Sequence, residues 1–249
     1  MQRIAPLAAL LLLLLVFLLL GAPARLLPAL LPGGQVQLGG LSGTLWQGSA
    51  SRCLLQTAAG PLQLGRVQWQ LRPLSLLTLS PALDVDSQWG GQHLSGRVKF
   101  HGVNDIGLSD LSARADASLL RQLAPLAVEG GFSLQAQHLR LRDGLPAGAQ
   151  GRLVWEHGAW MAPQGRIALG SYALDIQQRD AEAPLTADVI TLAGPVQAAG
   201  QASLTGQNYS VDIRIRAEQG ALDPALQQGL SLMARPDGNG YHLTLTGAL

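Results

Sequence analysis

The sequence predicts a mainly β protein: an N-terminal transmembrane helix, then a long, twisted and curved, mostly antiparallel β-sheet domain with one or two short helices. Three observations carry this. Residues 4–24, IAPLAALLLLLLVFLLLGAPA, hold no charge over 21 positions, matching the roughly 20 residues that cross a hydrocarbon core as a helix. Behind them, apolar and polar residues alternate with period two, the pattern of antiparallel strands with one packed and one wet face. The 30 glycines and 14 prolines favour short strands and turns over long helices.

The span comes first. Arg3 and the α-amino group precede it and only Arg25 comes after it before Arg52, which orients the N-terminus to the cytoplasm. A cleaved signal peptide is the competing reading, because Ala22-Pro23-Ala24 has the small-x-small form of a cleavage site. The apolar run, however, exceeds the usual ~7–15 residue hydrophobic region of such peptides. Both readings export the rest of the chain. The predicted organisation is a cytoplasmic tip and transmembrane helix over 1–24, a linker over 25–34 (RLLPALLPGG) and a periplasmic β domain over 35–249.

Within that domain Val67, Trp69 and Leu71 share one face of a strand, as do Leu83, Val85, Ser87 and Trp89. Val211, Ile213 and Ile215 oppose Asp212, Arg214 and Arg216, and Tyr241, Leu243 and Leu245 close the chain in the same way. Trp69, Trp89, Val211, Ile213 and Ile215 are the predicted structural core, with the apolar side concave. One segment breaks phase: Phe132, Leu134 and Ala136 share a parity that Leu139 and Leu141 do not. A bulge near His138 restores the face, since a one-residue shift flips every side chain. Glycine opens many strands, as in Gly43-Thr44-Leu45-Trp46-Gln47-Gly48 and Gly165-Arg166-Ile167, which suggests successive hairpins. Two short helices are predicted, over 116–124 ahead of Pro125, and over 222–229 with Asp223 as N-cap, Pro224 at N1 and Gly229 as C-terminal cap.

The chemistry-bearing residues are scattered. Seventeen basic against sixteen acidic residues leave a net charge of +1, so no nucleic-acid footprint is present. The single cysteine, Cys53, excludes an intrachain disulfide and reads as a small buried strand residue. His93, His101, His138, His157 and His242 have no metal-ligand spacing, and no nucleophile elbow, P-loop or dinucleotide fingerprint occurs. Asp84 and Asp86 form an i,i+2 pair on a solvated strand face. The expectation is therefore no enzyme, no cofactor and no metal. Trp46 and Trp160, beside glycine-rich turns, are the candidate interaction residues.

Gly40-Leu41-Ser42-Gly43-Thr44-Leu45-Trp46-Gln47-Gly48 resembles the Gly-Thr-Leu-Trp-x-Gly signature of the type II secretion system protein N family. Val67-Gln68-Trp69-Gln70-Leu71-Arg72-Pro73, the segment from Leu141 through Trp155, and the closing Gly240-Tyr241-His242-Leu243-Thr244-Leu245-Thr246-Gly247 are similar to later parts of it. The resemblance implies a single-pass component of the bacterial inner membrane whose periplasmic domain binds other secretion components, with no catalytic residues to carry over. A looser architectural likeness to AsmA-like proteins implies the alternative, a carrier or shield for lipid or other apolar ligands along a curved β-groove.

Overall fold

The structure, a computed structural model, describes residues 21–30, 36–57, 60–77, 80–102, 104–119 and 127–248. Residues 4–20 of the predicted span, 31–34 of the predicted linker and 120–125 of the first predicted helix region lie outside them. Among the described residues no helix is long and apolar enough to cross a membrane. The chain is mainly β and divides into two compact units, Met1–Trp89 and Gly90–Leu249.

Unit 1 opens with a 3-10 turn, Ala24–Leu26, running into one α-turn, α1 (Leu27–Leu30). Strands β1 (Val36–Gly43), β2 (Gln47–Thr57), β3 (Gly60–Leu71) and β4 (Ala82–Trp89) come next, with α2 (Pro73–Leu77) between the last two. They form an antiparallel meander with registers such as Leu38↔Cys53, Gly48↔Trp69 and Trp69↔Val85. Alternation in β3 is strict: Val67 and Trp69 are buried while Arg66, Gln68 and Gln70 are exposed. The core is Ala24 (1% exposed), Ala50 and Trp69, with Leu27, Leu38, Leu41 and Leu83 packed around them. Cys53 is buried too, and burial pushes its thiol pKa up.

Unit 2 comprises β5 (Gln92–Gly102), β6 (Asp105–Asp116), β7 (Val128–Arg142), β8 (Leu145–Ala162), β9 (Gly165–Gln178), β10 (Leu185–Ala193), β11 (Val196–Thr205) and β12 (Asn208–Ala217). After them come α3 (Pro224–Ser231), β13 (Arg235–Asp237) and β14 (Gly240–Ala248). Neighbours in sequence pair antiparallel up to β12, which pairs with β14, and short β13 folds back on the outer side of β14. Cross-strand register sorts side chains by face. Leu94, Ala113, Leu134, Leu153, Leu174, Val189, Gly200, Ile213 and Leu243 form one continuous row. One position along each strand, Ser95, Ser112, Gln135, Arg152, Asp175, Asp188, Gln201, Asp212 and Thr244 form another. Because strand side chains alternate, the sheet has an apolar and a polar face.

The phase break falls where the parity of the sequence placed it. β7 carries an extra residue against β8 between Ala136 and His138, and both Gln137 and His138 are exposed. A second line of irregularity passes through Gly130, His157-Gly158 and Gly170 on successive strands. A Cβ on Gly158 would lie 2.8 Å from the Trp155 ring and from the Gly170 carbonyl oxygen, so glycine here lets the backbones close over an aromatic side chain.

The helices show where local signals sufficed. Asp223 caps α3 by accepting from the Ala225 amide at 2.9 Å, with Pro224 at the first turn. The helix does not stop at Gly229: it continues to Ser231, with Leu232 as C-cap. The reason is burial, since Leu230 joins Val196 and Leu222 in a second core against Ile215 and Tyr241. Of the first predicted helix the structure describes only a 3-10 turn, Ala117–Leu119, beside which the Asp116 side chain accepts from Ser118 N at 2.8 Å.

Candidate functional site

The Gly-Thr-Leu-Trp-x-Gly segment is the β1–β2 turn, and its composition comes from its geometry. Gly43 has φ +87°, and a Cβ there would come within 2.5 Å of the Gln47 carbonyl oxygen. The Thr44 amide donates to the Gln47 carbonyl at 2.9 Å, and the Gln47 amide donates back to Thr44 Oγ1 at 3.2 Å. Leu45 offers its carbonyl to Trp69 Nε1 at 3.2 Å, satisfying the polar atom of a buried indole. A Cβ on Gly48 would sit 2.5 Å from Trp69 Cζ2, so Gly48 is the floor on which that ring lies. The Trp46 carbonyl accepts from the Leu71 amide at 2.7 Å, and its side chain is half-buried.

The same turn holds the chain that leads into the unit. Leu45 N donates to Ala22 O at 2.9 Å, and Pro23 forms a β-bridge with Thr44. The loop from β3 to β4 lies at this end as well, because Gln47 pairs with Gln70 and Leu71 is tied to Trp46. Ser75 Oγ donates to the Arg72 carbonyl at 2.6 Å and accepts from the Ala82 amide at 2.8 Å, which fixes that loop.

The other predicted residues disperse. Trp160 is half-buried and lies beside α3, where a Cβ on Gly229 would be 3.5 Å from its Cη2. Trp89, expected in the core, is 37% exposed. It is the last residue of β4, so its indole covers Gly65 from one side and has no further strand residue above it. Val211, Ile213 and Ile215 line one face of β12 but are only half-buried, against exposed Asp212, Arg214 and Arg216. Asp84 accepts from Arg72 Nε at 2.7 Å, an exposed pair of the kind worth about 0–1 kcal/mol. His138 stands exposed at the bulge.

Two arrangements were not visible in sequence. Across β7, β8 and β9, Phe132 stacks on Trp155 and Tyr172 lies tilted against it, with centroids 5.8 Å apart in each pair. Trp155 Nε1 donates to Glu129 O at 3.0 Å, and the buried Tyr172 hydroxyl lies 2.8 Å from Val196 O; burial pushes its pKa up to about 12. The second is a charge cluster: Asp105 receives Arg140 through two bonds of 2.8 and 2.6 Å, with Arg142 at 3.5 Å. The Arg140 hydrogen bonds hold the Asp105 carboxyl down at about 2. Among the described residues no group of three or more His, Cys, Asp or Glu is placed to hold a metal.

The described residues thus form a two-faced antiparallel sheet with dispersed titratable groups and a Gly-Thr-Leu-Trp-x-Gly signature built into a turn. Residues 34–244 match the family described as "Type II secretion system (T2SS), protein N". The chain belongs to that family and is a component of type II secretion machinery. It is 28% identical to type II secretion system protein N of Vibrio cholerae over 237 residues, covering 90% of this chain and 88% of that one. The Aeromonas hydrophila protein of the same name is 30% identical over 90% of this chain and 89% of its own. The Pectobacterium carotovorum protein is 30% identical over 75% and 76%. No solved structure matches.

Proposed function

We propose that this chain is an accessory inner-membrane component of the type II secretion machinery, a non-enzymatic, single-pass protein whose periplasmic β domain acts by contact with other secretion components. Family membership over residues 34–244 carries the proposal. The uncharged run supports retention as an anchor with the N-terminus in the cytoplasm, its crossing part ending before Ala22, which is bonded to Leu45. So does the position of Ala22 and Ala24, which are buried in unit 1: a cut after Ala24 would remove both.

The contact surface has a specific candidate. β13 covers β14 only at Gly240–His242, which leaves the outer edge of Leu243–Ala248 beyond its reach. That stretch, LTLTGA, contains no charge and no proline, the devices that usually keep strand edges from pairing. An extended segment of a partner can add there as a strand. The test is export of a reporter enzyme in a strain lacking this protein, complemented with variants. Thr244→Lys with Thr246→Lys is expected to lower export at normal protein level. Alanine at His138, Asp84, Asp86 or Cys53 is expected to leave it nearly intact, and loss of export from His138→Ala or Asp84→Ala at normal level would point to a catalytic role instead.

A second reading, a carrier or shield for lipid or other apolar ligands, is favoured by one observation. Among the described residues no strand of unit 2 lies outside its one sheet, and no side chain of the apolar row is fully buried.

A further inference from the structure

We infer that one end of unit 1, formed by Leu26, Trp46, Pro73, Leu74 and Leu76, seats on the lipid surface of the membrane that anchors the chain. The inference rests on the anchor reading above and adds a docking face to it. The backbone passes from the uncharged run directly into this end: Ala22 is already bonded to Leu45, and Pro23 to Thr44. On the anchor reading, the pairing of Ala22 with Leu45 leaves residues 4–21 of the uncharged run for the crossing, about 18 residues and within the ~17–25 that a span needs. The crossing then ends beside Ala22, and the end of unit 1 that holds Ala22 lies in the polar headgroup zone, about 5–7 Å deep.

The side chains displayed there suit that zone. Leu74 is 77% exposed, Leu26 48% and Leu76 37%. These are fixed displays, because Ser75 between Leu74 and Leu76 is bonded to both sides of its loop. Half-buried Trp46 belongs to the residue type that gathers at membrane interfaces. The charges at this end fit anionic headgroups: Arg25 is exposed, and no acidic residue precedes Asp84 in the chain, which is itself paired with Arg72. Exposed apolar groups clustered around a membrane exit are what an interfacial seat requires.

The test uses the full chain reconstituted in vesicles of phosphatidylethanolamine and phosphatidylglycerol. Leu74→Cys and, separately, Gln88→Cys, each with Cys53→Ala, carry an environment-sensitive fluorophore. Gln88 is exposed near the opposite end of β4. The expected result is blue-shifted emission at position 74, quenched by lipids spin-labelled about 5–10 Å below the headgroups, and water-like, unquenched emission at 88. Water-like emission at 74 in a chain that resists carbonate extraction would overturn the seat and leave the anchor standing. A blue shift without lipid quenching would also overturn it, since protein would then cover the patch. Release by carbonate would refute the anchor alone. In that case vesicle binding by the released chain, abolished by Leu74→Asp with Leu76→Asp, would still support the seat, and absence of vesicle binding would overturn it.

Discussion

Gly48 and Trp69 act as one device, a ring laid on a glycine with its N–H tied to the turn at Leu45. Trp69→Ala removes a buried aromatic and is expected to destabilise by about 3–5 kcal/mol, measured as a lower denaturation midpoint and depleted protein. Gly48→Ala pushes a methyl into the ring and should cost about 1–3 kcal/mol by overpacking. Asp105 gives a pH effect of defined sign. Its pKa is lowered from 3.8 to about 2 in the folded protein by the Arg140 hydrogen bonds, so its stabilisation is present above the unfolded value and is lost as pH falls through the folded one. Urea midpoints tracked from pH 5 to pH 2 should therefore decline less in Asp105→Asn than in the parent.

At the scale of elements, legibility tracked the range of the physics. The bulge beside His138 was readable because a parity change is a local property of one strand. The α3 cap was readable because Asp223 and Pro224 act within two residues of each other. The end of α3 was not, since Leu230 is held in the helix by Val196 and Tyr241, which lie at a distance in sequence. The Phe132–Trp155–Tyr172 cluster was hidden for the same reason: its register depends on irregularities in β7 and β8 that no single segment specifies. Trp89 shows the converse, correct parity at a strand end where no further residue buries it. Removing the cap with Asp223→Ala is expected to cost about 1 kcal/mol, and thermal melts should show a small loss. Tyr241, which packs on that helix, supplies a near-ultraviolet signal to confirm that α3 loosens.

For the whole molecule, the open question is what meets the apolar face of unit 2. The sequence showed that such a face exists, through Val211, Ile213 and Ile215, but its composition is equally compatible with a filled core and an open one, and in the structure these three side chains are half-buried. Half-buried leucines in a row are stable if curvature brings them together, or if a ligand or partner lies along them. The readings separate by the identity of the contact. A photo-crosslinking amino acid at Leu174, in the middle of the row, should capture lipid in living cells if the face carries apolar ligands, and only the chain itself or secretion partners if it does not. The secretion-component reading expects no lipid adduct at Leu174, and expects export to weaken when the β domain is delivered by a cleaved signal peptide, because the membrane no longer concentrates it beside its partners. A lipid adduct at Leu174, lost when Leu153 and Val189 are replaced by aspartate in a folded chain, would instead make ligand carriage the better account.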